Sequence, residues 1–137
     1  MQLNDLPVHD IPALHGNNGP IHQEDVFTDL QVIGQVPSDF SGLYVRNGPN
    51  AFYPPQWRYH AYDGDGMLHM AAFKNGKVSY RNRFIQTKGL QAELEAGRAL
   101  WAGLMEDPAL SERAGWGAHG SLKDSSSTDV VVHAGRA

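Results

Sequence analysis

The residues of this 137-residue chain that could do chemistry are its histidines, a close pair of aspartates and two arginine-bearing motifs. His9, His15, His22, His60, His69, His119 and His133 invite a metal reading, because neutral imidazole is the commonest protein ligand for a transition metal. None belongs to an HExxH pair, and His22-Gln23-Glu24 has no cysteine pair to complete a zinc deaminase signature. A site assembled from histidines on separate strands leaves no spacing to find. His60 and His69 flank one turn and could converge, and His133 adjoins an apolar run that reads as a buried strand. Residue by residue, structural histidines are the better reading, and the sequence assigns no catalytic residue, no cofactor-binding residue and no metal ligand.

Asp63 and Asp65 suggest a calcium loop, but the spacing fails. Its sixth position, which needs glycine, is Leu68, and its twelfth, which needs glutamate, is Lys74. Paired carboxylates for acid–base work remain open. The favoured reading is a tight turn whose aspartates cap backbone N–H groups or pair with Arg81 and Arg83. Arg46-Asn47-Gly48-Pro49-Asn50 and Arg81-Asn82-Arg83 could bind an anion, although arginines beside turns more often tie loop carbonyls or an aspartate. Phe52, Tyr53, Trp57, Tyr59 and Tyr62 could line an apolar substrate tunnel or pack a core. Ser125-Ser126-Ser127 lacks a nucleophile elbow, Gly76-Lys77 lacks the rest of a P-loop, and without cysteine there is neither a thiol nucleophile nor a disulfide.

These residues need a scaffold, and its centre is Tyr59 to Thr87. Asn75-Gly76 between two strand-like runs signals a hairpin with a two-residue type I′ turn. That loop fixes the register: Lys74 faces Lys77, Phe73 faces Val78, Ala71 faces Tyr80, His69 faces Asn82 and Met67 faces Phe84. Both hairpin faces are apolar enough to predict cover on both sides. Residues 1–25 read as an irregular N-terminal arm, and residues 26–137 as an incomplete β domain. A strand is expected over Val26–Val36 and a second at Leu43–Arg46, closed by Asn47-Gly48-Pro49-Asn50. Leu90, Leu94, Gly97, Trp101 and Leu104 share one helical face, predicting a helix near 90–104, with Glu95 in reach of Arg98 and Gly97 allowing close approach to the sheet. A polar connector over 106–128 should lead to a strand at Asp129–His133.

Composition limits the partners. Hydrophobic content of 41% with 19% charged residues fits a folded domain, and a net charge of −4 argues against nucleic acid. The N-terminal residues lack a basic, apolar leader, and no run approaches the length of a transmembrane span, so a cytoplasmic protein is expected; peripheral membrane contact is compatible with this.

Asp63-Gly64-Asp65-Gly66-Met67, Tyr80-Arg81-Asn82-Arg83-Phe84 and Arg46-Asn47-Gly48-Pro49-Asn50, followed in order by Ala96-Gly97-Arg98-Ala99-Leu100-Trp101 and Val132-His133-Ala134-Gly135-Arg136, resemble the N-terminal part of the carotenoid cleavage oxygenases. That family includes carotenoid, apocarotenoid and lignostilbene dioxygenases. The resemblance implies a mainly β fold: the arm and first blade of a seven-bladed β-propeller. It implies an oxidoreductase whose Fe(II), held by four histidines on the propeller axis, uses dioxygen to cleave a conjugated carbon–carbon double bond in an apolar substrate. The blocks present are scaffold. His60, His69 and His133 fall in blocks whose histidines are not the family's ligands, so no iron is expected to bind this chain. Phe84 stands where the resemblance places a substrate-facing tyrosine in stilbene-cleaving members, which argues mildly against a phenolic stilbene. The expectation is an N-terminal fragment of such a dioxygenase, inactive alone and marginally stable. The alternative, from a different class, is a stand-alone β-rich interaction module without catalysis.

Overall fold

The computed structural model describes residues 11–114 and 122–136. It is mainly β with one α-helix: β1 (Val26–Phe27), β2 (Gly42–Asn50), β3 (Asp65–Lys74), β4 (Lys77–Phe84) and α1 (Lys88–Ala96). The four strands form one antiparallel sheet in the order β1-β4-β3-β2. The hairpin has the register that its turn dictates, from Lys74 opposite Lys77 to Met67 opposite Phe84. Asn75 and Gly76 both take positive φ, 52° and 75°, as a type I′ turn requires.

Cover is uneven. Met67 and Phe84 are buried with Leu90 of α1, and Phe52 packs edge-on against Phe84 at 5.1 Å. A second cluster joins Ala92, Leu100 and Trp101. Towards the turn both faces are only half-buried, so the expected cover on two sides holds at one end alone. Phe84 is 6% exposed and belongs to the buried cluster with Met67 and Leu90.

Four sequence expectations change. β1 is two residues long rather than most of Val26–Val36: after Phe27, a backbone bond from Leu30 N to Val78 O at 2.8 Å and the exposed Asp29–Lys77 pair hold the chain to β4. Ile33 beyond it is 98% exposed, so no burial supports a longer strand there. β2 is longer than expected, because Asn47-Gly48-Pro49-Asn50 continues the strand instead of closing it. Pro49 is tolerated because β2 is an edge strand, where a missing N–H costs no ladder bond on the open side.

The helix near 90–104 ends at Ala96. Gly97 does not sit mid-helix. It adopts φ 72°, and its amide and that of Arg98 both donate to the Glu93 carbonyl, a left-handed cap that stops the helix. Thr87 caps the other end by accepting from Leu90 N. Trp101 and Leu104 therefore lie in the following loop, and Arg98 pairs with Glu112, not Glu95. Finally, Asp129–His133 forms no strand. Val131 and Val132 are 73% and 72% exposed, and His133 to Arg136 is a tight turn with Ala134 and Gly135 at positive φ. A run of valines needs a partner strand before its β preference is expressed.

Candidate functional site

The Asp63-Gly64-Asp65-Gly66 motif gathers polar contacts from several distant segments. Its aspartates do hold backbone amides, but distant ones as well as near. Asp63 Oδ2 accepts from His60 N at 2.7 Å, and Oδ1 accepts from Leu104 N at 2.9 Å. Asp65 Oδ2 accepts weakly from Phe52 N at 3.4 Å. Neither aspartate pairs with Arg81 or Arg83; Arg83 lies 3.5 Å from Glu24, and Arg81 extends towards Met70 Sδ. The partner of Asp65 is Lys123, whose Nζ is 2.7 Å from Oδ1, close enough to neutralise it although off the line of a hydrogen bond. The same Nζ donates to Glu93 Oε2 at 2.7 Å, while Glu93 Oε1 accepts from Leu100 N at 2.9 Å. One largely buried lysine thus joins the sheet, α1 and the segment from 122 onwards.

The glycines serve approach. A Cβ on Gly64 would collide with the backbone of Asn50, and one on Gly66 with the carbonyls of Ser125 and Ser126. Gly66 N donates to Ser125 O at 2.7 Å, and Asn47 Nδ2 donates to Ser126 O at 2.9 Å. The serine run is a strap laid across the sheet by its main chain.

A cavity of about 210 Å³ opens beside this junction, lined by Tyr59, Asp63, Asp65, Glu93, Glu106 and Lys123 among others. Its acids are engaged. Glu106 accepts from Trp57 N, Arg58 N and Gly103 N at 2.6, 2.8 and 2.9 Å. Burial, reinforced by Asp63 and Asp65, pushes the Tyr59 phenol up to about 12, so it stays protonated. The junction ties distant segments of the chain together, its carboxylates held by backbone amides and Lys123.

Among the described residues the histidines do not converge into a metal site, and no three of His, Asp and Glu are grouped to hold a metal ion. His60 Nδ1 accepts from Tyr62 N at 3.2 Å, His69 Nδ1 is 2.8 Å from Tyr80 Oη, and His133 sits in its turn. His9 and His119 lie outside the described residues. The donor set of the described residues does not fit an iron centre. The aromatic residues divide: Phe52 and Tyr53 pack edge-on at 5.0 Å, Trp57 lies under Arg58, and Tyr59 and Tyr62 line clefts.

The residues that sequence reasoning missed are the ones that fasten the arm. Asn50 exchanges two bonds with Ile21, accepting at 2.8 Å and donating at 2.7 Å, as a strand neighbour would. Asn82 accepts from Asp25 N at 2.6 Å and donates to Gln23 O at 2.9 Å. Asn82 left a signal: it is a polar residue at an inward position between Tyr80 and Phe84. Glu93, Glu106 and Lys123 left none, since nothing local marks a charge for burial.

An arm-fastened antiparallel sheet with a glycine-spaced aspartate turn, one helix and a returning strap is the architecture of the first part of the carotenoid-oxygenase fold. The chain belongs to the retinal pigment epithelial membrane protein family, which matches residues 18–137 and is the family of the carotenoid cleavage dioxygenases. It is 39% identical over 73% of its length to the chloroplastic 9-cis-epoxycarotenoid dioxygenase NCED6 of Arabidopsis thaliana, covering 18% of that protein. It is 30% identical over 93% of its length to lignostilbene-alpha,beta-dioxygenase isozyme III of Sphingomonas paucimobilis, covering 25% of it. The crystal structure of Pseudomonas brassicacearum lignostilbene dioxygenase superposes with a TM-score of 0.69 at 29% identity, over 87% of this chain and 23% of that one. The chain therefore spans a quarter or less of the length of these relatives.

Proposed function

We propose that this chain is the N-terminal scaffold of a non-haem Fe(II) dioxygenase, with residues 1–25 as an arm and 26–137 as an incomplete β domain. The proposed reaction cleaves a conjugated carbon–carbon double bond in a carotenoid, apocarotenoid or stilbene-like substrate. Dioxygen is the oxidant, and each of its atoms ends in one of two carbonyl products. The iron ligands would come from residues outside this chain. The observation that carries this reading is a family match over residues 18–137 combined with superposition on a dioxygenase structure at a TM-score of 0.69. The contribution of the chain's own residues is positional: Lys123, Asp65 and Glu93 lock helix to sheet, and Asn50 and Asn82 fasten the arm. In the described residues no helix is long and apolar enough to cross a membrane. A stand-alone interaction module is not favoured, because the relatives matched are dioxygenases.

The test is to read the coding DNA past the codon for Ala137 and express any continuous frame with ferrous iron. The expected product bleaches a polyene or stilbene under oxygen and yields two carbonyl fragments by mass spectrometry, while the 137-residue chain alone does neither. No continuation encoding spaced histidines, or an iron-loaded product that leaves both substrate classes intact, overturns the reading.

A further inference from the structure

A second cleft, of about 530 Å³, lies between the arm and the edge strand β2. This is within the size range of small-molecule sites. Its floor is the cross-strand pair Arg46 and His69. Its far wall comes from arm residues, including Leu14, Asn17 and Ile21, and Tyr62 closes one side. Asn50 fixes that wall by its two bonds to Ile21.

The charge pattern in this cleft is selective. The chain as a whole carries a net charge of −4, yet among the described residues no Asp or Glu lines the cleft. Arg46 makes no ion pair among the described residues. Its guanidinium lies over Gly48, where even an added Cβ would sit 3.3 Å from Nη2. His69 presents no second cation: burial, then the nearby Arg46, hold its ring below the usual imidazole range. Tyr80 Oη engages its Nδ1 at 2.8 Å, which fixes the ring and leaves Nε2 for another partner. Arginine's planar fork matches a carboxylate, and the flanking Leu14 and Ile21 suit an apolar body.

We infer that the cleft between the arm and β2 binds a small organic carboxylate with an apolar body, its head on Arg46 and beside His69, and its tail against the arm. The inference rests on the lining of this cleft and does not depend on the dioxygenase reading.

The experiment titrates the 137-residue chain with octanoate, using 1-octanol and inorganic phosphate as controls. It follows the urea unfolding midpoint and the His69 ring resonances by NMR. Octanoate should raise the midpoint saturably and shift the His69 resonances. Octanol, lacking the charge, and phosphate, lacking the tail, should each do much less. R46Q, at an exposed position where refolding is not threatened, should weaken octanoate binding about tenfold or more. Equal stabilisation by octanol, an unchanged response in R46Q, or no shift at His69 overturns the proposal. So does a chain showing no dispersed His69 resonance, since the cleft would then not exist.

Discussion

The two ends of one hairpin share a continuous antiparallel ladder and differ in nearly everything else. At the Asp65–Met67 end, Met67, Asn82 and Phe84 are buried, and backbone from residues 23–25, 50 and 125–126 closes in. At the Asn75-Gly76 end the described tertiary contacts are lighter: Phe40 edge-on against Phe73 at 5.0 Å, and an exposed Lys77–Asp29 pair. The ladder sets geometry at both ends, but burial follows polar side chains that capture distant backbone. Small polar residues at one end of the hairpin, rather than the strongest local turn signal at the other, position the rest of the fold.

The comparison breaks most readily at Lys123. Lys123→Met leaves Asp65 and Glu93, whose side chains are 4% and 3% exposed, without their cation. Stranding buried charge costs about 3–5 kcal/mol, comparable to the whole stability of a small domain. The urea midpoint should collapse, with partial recovery when Glu93→Gln is added. A shift of a few tenths of a kcal/mol would mean that the buried end does not dominate stability.

The next contrast sets glycine against glycine. Gly66→Ala drives a methyl into the Ser125–Ser126 backbone and should cost about 2–3 kcal/mol, since a strap fixed at several points cannot retreat freely. Gly76→Ala meets only its own φ of 75° and should cost about 1 kcal/mol. Chemical denaturation of the two variants in parallel measures the gap, and equal losses would erase the distinction between the ends.

Sequence reasoning read the turn end well, because Asn75-Gly76 and a period of two are local facts. It read the other end incompletely. The Asp63–Gly66 motif looked like a turn capping itself, whereas Asp63 reaches Leu104 and Gly66 admits a strap 59 residues further along. Gly97 illustrates the same limit: apolar spacing carried the helix through it to Leu104, but a glycine that can cap outweighs a stripe that continues. Of the candidate site residues, Arg46 and His69 were each singled out, but their pairing in a carboxylate-free cleft depends on β2 running through Asn47-Gly48-Pro49-Asn50, which the proline concealed.

His69 lies between the two regions and responds to pH with a defined sign. Its folded value sits below the ordinary imidazole value of 6.5, so the unfolded chain takes up the proton first. Its contribution to stability is full above that value and is lost as pH falls through it towards the lower folded value. Urea midpoints on acidification from about pH 7 should fall more steeply in the wild type than in His69→Asn. Parallel curves would remove His69 from the balance.

The smallest effect belongs to the turn end. Lys77 and Asp29 approach to 2.9 Å, but their side chains are 70% and 59% exposed. Water screens the pair, and holding the long lysine side chain in one geometry costs rotamer freedom, so Lys77→Ala should change stability by less than about 0.5 kcal/mol. Amide exchange sharpens the point, because it reads the ladder residue by residue. At the buried end the variant should leave protection of Met67 and Phe84 unchanged, while Val78, whose carbonyl also anchors Leu30, should exchange faster. Loss of protection spreading to Met67 would mean that the two ends open as one unit, and that the ladder, not the captured backbone, sets the cooperativity of the sheet.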